Sequence, residues 1–475
     1  MPRPTRVLWT FAISSIALFM AALDNLVVTT ALPVIRASFQ ADLAELEWIV
    51  NAYTLTFAVL LLTGAALGDR FGRKKVFIIG LAIFTGGSVI AALSTNVTTL
   101  IVARAIEGVG GAIVTPLSLT ILSAAVPRER RAVALGAWGG IAGLAIAIGP
   151  VIGGAIAQGL AWQFIFWINV PIGLAVIPLA AYGLTETYGP PARLDLPGLG
   201  LASAGLFAIV WGFVRANELG WTSPAILGAF VLGGVLLAGF VAWEARTSQP
   251  MLPLRLFRSR TFSAANVVSM LMSFGMFGSI FLLAQFFQIV QNYSPLQAGL
   301  RTLPWTLMPI FVAPIAGLVS TRTGTRPLLV LGMSLMAIAL AWMSLVTTPT
   351  VEYLVLVPSF IIAGIGMGLF FAPIANVVLS AVRPEEEGKA SGANNAIREL
   401  GGVFGVAVLA SVFATYGSYA SGQAFVDGLI PAMRVGAVVV GIGALVALAL
   451  GGRSLAVASE SDPESARAEL EGAAA

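Results

Sequence analysis

Neither cysteine nor histidine occurs anywhere in the 475 residues. Without them there is no disulfide framework, no thiolate chemistry, no histidine-containing metal site and no Ser/His or Cys/His nucleophile pair. Charge is scarce too: Asp, Glu, Lys and Arg make up 10% of the chain, while apolar residues make up 58%. Soluble proteins carry roughly a quarter charged residues, and a core of this composition would be hard to shield from water. The phosphate-binding pattern G-x-x-x-x-G-K-[ST] is also missing, because Gly388-Lys389 is followed by Ala390 and lacks the leading glycine. These absences leave few catalytic options and no ATP-driven step, so no enzyme activity, metal or bound cofactor is expected. If a proton is carried, a carboxylate must carry it.

What the chain has instead is a succession of long apolar runs. A spanning helix needs about 20 mostly apolar residues. Such runs lie near 8–33, 48–68, 76–94, 98–125, 133–158, 163–183, 197–214, 225–243, 262–290, 297–320, 327–347, 353–380, 398–416 and 430–451. The first is too long for a cleaved leader and holds Asp24, so it counts as a helix. The expected fold is all-α and integral to a membrane, with 14 spans.

With the N-terminus inside, 21 of the 26 basic residues fall on the inner side. Arg36, Arg215, Arg301 and Arg434 fall at or near the outside, and Arg104 lies within a span. Both termini are therefore expected in the cytoplasm. The net charge of +4 is spread over short clusters between apolar runs, which argues for topology signals rather than a nucleic-acid partner. Arginine far outnumbers lysine, and Ala and Gly abound, which fits a GC-rich bacterial genome and hence a bacterial cytoplasmic (inner) membrane.

Two internal echoes divide the chain. Ala65 to Lys74, after the second span, resembles Gly317 to Arg326 at an offset of 252 residues; Val126 to Gly136 resembles Val382 to Gly392 at an offset of 256. Duplicated halves are common in transporters. The expected organisation is a six-helix half at 1–190, a two-helix insertion at 191–250, a second six-helix half at 251–452, and a disordered tail at 453–475 rich in Ala, Glu and Ser.

Charged residues inside spans are few. Arg104 and Glu107 stand one helical turn apart in the fourth, and Asp24 lies in the first. At about 1.5 Å per residue, Asp24 sits roughly 13 Å below the outer helix end, and Arg104 and Glu107 roughly 9 and 13 Å below theirs. All three share a depth. A charge there is expensive unless it is paired or faces a water-filled cavity. Glu107 is either an ion-pair partner that neutralises Arg104 or a protonatable group; Asp24 is either a packing aspartate or a proton site.

The loop around Asp69, Arg70, Gly72 and Arg73 combines an acid, a glycine turn and several bases in a short connection. It reads either as a positive-inside anchor or as a charge latch bridging neighbouring helices. In the fifth span, Gly143, Gly149, Pro150, Gly153 and Gly154 give small faces through which helices approach closely. Tyr53, Phe286, Gln288, Trp305 and Phe371 are candidates to line a substrate site, with a packing role open for each.

As a set these motifs resemble the major facilitator superfamily. The loop keeps Leu67, Asp69, Arg70, Gly72, Arg73 and Lys74 of the pattern G-x-L-x-D-R-x-G-R-K, with Ala65 in place of the first glycine. Leu23-Asp24 through Ala31-Leu32-Pro33 looks like the first-span signature of the fourteen-span drug:proton antiporters, with Leu26 and Thr29 as departures. Glu107 departs from the glutamine of R-x-x-Q-G-x-G. Gly149-Pro150-Val151-Ile152-Gly153-Gly154 is similar to the motif associated with exporters, and Trp162 to Gly173 and Arg398 to Gly405 carry two further marks. The resemblance implies two six-helix bundles around a central cavity and an alternating-access cycle. It also implies proton-coupled efflux of small lipophilic drugs or antibiotics, with Asp24 binding the coupling proton near Arg104. A proton gradient would be the energy source; the partners would be a small-molecule substrate and the bilayer, with the chain acting as a monomer. The same fold permits a proton-coupled importer of a small metabolite.

Overall fold

A computed structural model describes residues 3–189, 194–248, 250–383 and 386–450. The tail from Arg453 lies outside the described residues, as do Arg193 and Glu385.

In hydrocarbon every backbone N–H and C=O must bond within its own segment, which makes the helix the default for an apolar run. Among the described residues 14 helices are long and apolar enough to cross a membrane. The first block comprises α1 (Arg3–Phe39), α2 (Leu43–Phe71), α3 (Arg73–Ala92), α4 (Val97–Ala125) and α5 (Arg128–Gly159). Its sixth span is α6 (Phe164–Trp167) continued by α7 (Asn169–Gly183). The inserted pair is α8 (Leu196–Leu219) and α9 (Pro224–Glu244). The last block comprises α10 (Arg260–Gln285), α11 (Pro295–Thr306), α12 (Met308–Thr323), α13 (Thr325–Val346), α14 (Tyr353–Ser380), α15 (Glu387–Tyr416) and α16 (Gly422–Ala447). There α11 and α12 form one span broken near Leu307, between Pro304 and Pro309.

The helix ends are set by local chemistry. Asp42 accepts from the Glu45 N–H at 2.8 Å while Glu45 accepts from the Asp42 N–H at 3.0 Å, a reciprocal cap that starts α2. Asn96 caps α4 through the Thr99 N–H at 2.8 Å. Asp195 caps α8: burial alone would raise its pKa, but the Gly198 N–H and the Trp243 indole N–H, both donating to it, hold its carboxyl below the usual range.

The thirteenth span departs from the hydropathy reading. It was expected to begin near 398, yet α15 begins at Glu387, so Lys389 lies in its first turn and Arg398 about three turns inside it. The reason is environment: Gly388, Lys389, Ser391, Gly392 and Asn395 line a cavity rather than facing lipid, so this part of the helix has no need to be apolar. The last span likewise begins earlier, at Gly422.

Helix pairing repeats between the blocks. In the first, α2 and α3 pack on α4, α1 on α5, and α3 on α7; in the second, α12 and α13 pack on α14, α10 on α15, and α13 on α16. Each pair has its counterpart at the same position in the other block. The blocks meet where α5 packs on α11 and α2 on α15. Helix α8 lies against α2 and α15, and α9 touches mainly α8.

An even number of spans leaves both chain ends on one side, here termed the arginine-rich side. A cavity of about 1140 Å³ lies there, between α2, α4 and α15 and the ends of the inserted pair. On the opposite side the blocks are in contact. Gln288 Nε2 donates to the Thr30 carbonyl at 2.8 Å, Thr306 Oγ1 to the Ala147 carbonyl at 3.0 Å, and the Leu296 N–H to Gln158 Oε1 at 3.3 Å.

Candidate functional site

Asp24, Arg104 and Glu107 meet inside the first block with fully buried side chains. Arg104 and Glu107 share a face of α4 because they are three residues apart. Close helix approach makes the meeting possible: a Cβ on Gly108 would lie 2.5 Å from the Tyr53 carbonyl oxygen of α2, and one on Gly87 of α3 would lie 2.8 Å from Glu107 Cγ.

Arg104 Nη1 donates to Asp24 Oδ2 and, at 2.7 Å, to Glu107 Oε2. Its Nε donates to the Ile49 carbonyl at 3.3 Å. Its guanidinium carbon stands 4.4 Å from the Tyr53 ring centre, on the electron-rich face that attracts a cation. Two further residues close the ring: Asn169 of α7 donates to Asp24 Oδ1 at 2.9 Å, and Ser88 of α3 donates to Glu107 Oε1 at 2.7 Å. Asn169 Nδ2 also reaches Ser88 Oγ at 3.3 Å. Neither Ser88 nor Asn169 was singled out from the sequence. An amide at the start of an apolar span was the available signal for Asn169; a lone serine in an apolar run gave none for Ser88.

With both acids ionised, the cluster holds two negative charges and one positive charge. No other charged side chain bonds to it among the described residues. One added proton makes it neutral. In a buried site the excess charge is costly, so the arrangement suits a group that gains and loses one proton.

The glycine motif of α5 divides into two parts. A Cβ on Gly149 would lie 2.9 Å from Leu26 Cβ, and one on Gly153 2.7 Å from the Val27 carbonyl oxygen, which packs α5 on α1. Gly154 and Pro150 face the other block: a Cβ on Gly154 would lie 2.3 Å from the Pro295 carbonyl oxygen, and one on Gly299 2.2 Å from that of Pro150. Gly143 differs from the expectation of close packing, for a Cβ there meets nothing within 4 Å. It lies on the stretch of α5 toward the arginine-rich side, where the blocks are apart. Gly154→Val should therefore push the blocks apart on the opposite side. Overpacking costs about 1–3 kcal/mol, and a cysteine at buried Thr30 should react with a maleimide from that side roughly tenfold to a hundredfold faster.

The loop after α2 does not bridge the two blocks in this conformation. Arg73 pairs with Asp69 at 2.8 Å, four residues back, and Arg70 is exposed with its guanidinium carbon 5.1 Å from the Phe71 ring centre. The Arg73–Asp69 pair joins the neighbouring helices α2 and α3, while the cavity that both residues line separates the loop from the second block. A residue missed from the sequence also secures the loop. Glu186 accepts from the Lys74 and Lys75 N–H groups at 2.9 and 3.1 Å, at the start of α3 where the helix dipole favours an anion. Gly72 turns the chain there at φ 103°, where a Cβ would meet that carboxylate.

The five candidate substrate residues are scattered. Trp305 and Phe286 are buried in one aromatic chain through Phe360 and Phe287, with successive ring centres 5.8–6.1 Å apart. Tyr53 lies against Arg104 and donates to the Ala21 carbonyl at 3.1 Å. Gln288 bonds across the blocks to Thr30, and Phe371 stands with its ring centre 6.0 Å from the Arg398 guanidinium carbon. None of the five is among the residues lining the 1140 Å³ cavity.

Two repeated blocks, a cavity between them open toward one side, and a buried charge cluster define a polytopic membrane transporter. Its sequence matches the Major Facilitator Superfamily model over residues 14–406, and the chain belongs to that family. Curated relatives include the tetracenomycin C resistance and export protein of Streptomyces glaucescens, 35% identical over 84% of this chain and 75% of the relative. The cephamycin export protein of Amycolatopsis lactamdurans is 38% identical over 83% of this chain and 82% of the relative. Among solved structures, a bacterial homologue of the human lysosomal transporter Spinster, inward-facing and unoccupied, aligns with a TM-score of 0.63 at 18% identity, covering 94% of this chain and 97% of that one. That likeness concerns the fold.

Proposed function

We propose that the protein exports small lipophilic drugs or antibiotics across a bacterial cytoplasmic membrane in exchange for protons. The observation that carries this reading is the buried cluster, in which two carboxylates face one guanidinium. Relatives that export tetracenomycin C and cephamycin support efflux over uptake.

The positive-inside rule assigns the arginine-rich side to the cytoplasm, with both termini. The cavity then faces the cytoplasm, and the contacts at Gly154 and Gln288 form the outer seal. Substrate loads into the cavity, the seal parts, and a proton from outside binds Asp24. Neutral Asp24 no longer holds Arg104 as an ion pair, which loosens α1 from α4 and favours release of the substrate. The blocks then rock back and the proton leaves to the cytoplasm. The membrane potential supplies about 2.3 kcal/mol per charge per 100 mV. Each chain contains both blocks, so a monomer suffices for the cycle, and the chain acts as a carrier with no catalytic step.

Everted vesicles test the proposal. Lumen acidification should drive accumulation of tetracenomycin C or a cephamycin, and a protonophore should abolish it. No accumulation, together with whole-cell uptake of a metabolite, would reverse the direction to import.

A further inference from the structure

Apart from the Arg104 cluster, two polar side chains of α2 are buried without partners. Glu47 is 2% exposed and its Oε2 accepts no hydrogen bond; Asn51 is fully buried with both amide atoms unbonded. Four residues apart, they share a helix face. The same face continues through Ala58, Leu62, Ala65 and Asp69, and the last three line the cavity. Glu47 and Asn51 thus extend the cavity-lining stripe into the sealed end of the path, where α2 packs on α15.

Among the described residues no cation pairs with Glu47. The charged groups nearest in sequence are two acids, Glu45 and Asp42, which cap the start of the same helix. From the α15–α16 connection comes Tyr419, whose hydroxyl donates to Gln285 and whose ring centre lies 3.9 Å from the Arg36 guanidinium carbon of α1. Burial pushes the Tyr419 phenol well up, against the opposing pull of Arg36, so it stays neutral. Arg36 forms no ion pair with Glu47 among the described residues. Further along α2, Leu55 and Val59 pack with Val403, Phe404 and Ala407 of α15 and Val210 and Val214 of α8, none of them charged. The nearby Arg215 of α8 is paired with Glu218.

We propose that Glu47 is a second proton-binding site, set in the outer seal. The inference rests on the alternating-access reading above and deepens it. As the seal closes, a proton from the outer water bonds to a Glu47 carboxylate oxygen; as it opens, that proton returns to the same side. It does not cross the membrane, so it leaves the exchange ratio unchanged. Its effect is on the conformational equilibrium, because an ionised carboxylate whose charged neighbours on its own helix are the acids Glu45 and Asp42 opposes closure. External acid therefore favours the cytoplasm-open, loading state. When the seal parts, Asn51 meets water or substrate and its amide gains partners.

The test uses the full chain in nanodiscs, spin-labelled at Leu160→Cys and Glu352→Cys, two exposed positions beside the outer ends of the two blocks. The native chain has no other cysteine. Distances measured by double electron–electron resonance should shift toward the sealed value as pH falls, by up to about tenfold in the sealed-to-open ratio per pH unit. Glu47→Gln should stay sealed at every pH, whereas Asp24→Asn should keep the pH-dependent seal while losing coupled exchange. A Glu47→Gln protein that retains the unaltered slope, or a parent protein without one, overturns the proposal. If Glu47→Gln does not accumulate, Glu47→Asp should move the midpoint, and an unmoved midpoint overturns it equally. Loss of the seal response alone leaves the antiport reading intact; coupled exchange surviving in Asp24→Asn sinks antiport through Asp24 and leaves the seal result standing.

Discussion

Asp24→Asn is expected to leave a folded carrier that binds substrate and exchanges it downhill, but no longer accumulates it against a gradient. Asparagine keeps the shape of aspartate and its carbonyl oxygen still accepts from Arg104, so the α1–α4 contact keeps a hydrogen bond while losing its ion pair. What it loses is the excess charge. With one carboxylate, Glu107, facing Arg104, the cluster is permanently neutral, a copy of the protonated state that no proton can leave. Proton-driven uptake into everted vesicles should fall by at least about a hundredfold, which corresponds to roughly 2.7 kcal/mol. Glu107→Gln makes the cluster neutral too, yet its expected loss is smaller, within about tenfold. The distinction is topological: the Glu107–Arg104 pair lies within one helix, and the Ser88 hydroxyl of α3 can still donate to a neutral Glu107, whereas Asp24 ties α1 to α4 by an ion pair and, through Asn169, to α7. Unimpaired uptake by Asp24→Asn would remove Asp24 from the coupling path.

How far the cluster was legible follows from the cost of charge in hydrocarbon. Asp24, Arg104 and Glu107 were conspicuous because an apolar span tolerates an ion only where something answers it, and equal depth suggested that they answer one another. Ser88 and Asn169 complete the ring, but a hydroxyl or amide is cheap enough to occur in spans for many reasons. Polarity alone did not separate them from the rest. The start of α15 misled for the converse reason: the polar stretch from Glu387 to Ile397 looked like a loop because hydropathy cannot tell water in a cavity from water outside the membrane. The glycines of α5 were readable as a small face, but which backbone each would meet, Val27 within the block or Pro295 across it, depends on long-range packing that spacing does not encode. The aromatic candidates were chosen by residue type, and type does not separate a cavity wall from a core. Phe286 and Trp305 belong to the latter in this conformation. Glu186 escaped notice because it caps a helix more than 100 residues away in sequence.

Arg104→Met is expected to have the largest effect on stability. Methionine fills similar space and leaves the Tyr53 and Phe166 rings packed, but it removes the one cation between Asp24 and Glu107. Breaking a buried pair in this way costs about 3–5 kcal/mol, because the remaining charge has no compensation, and here two carboxylates are left. The loss should be read as a fall in the thermal unfolding midpoint of the purified protein and as absence of transport. Adding Asp24→Asn to Arg104→Met removes one of the two stranded charges, so the double variant should recover part of the stability. The coupling between the two sites should lie within the roughly 0.5–3 kcal/mol range of directly contacting residues. Adding Glu107→Gln as a third change should recover more, since the buried cluster would then hold no charge at all. Transport should stay absent in all three variants, because stability and coupling draw on the same ion pair in different ways: neutral groups restore the first, and an exchangeable proton opposite Arg104 is needed for the second. Strict additivity of Arg104→Met and Asp24→Asn would mean that the two side chains do not interact, contrary to the hydrogen bond between them.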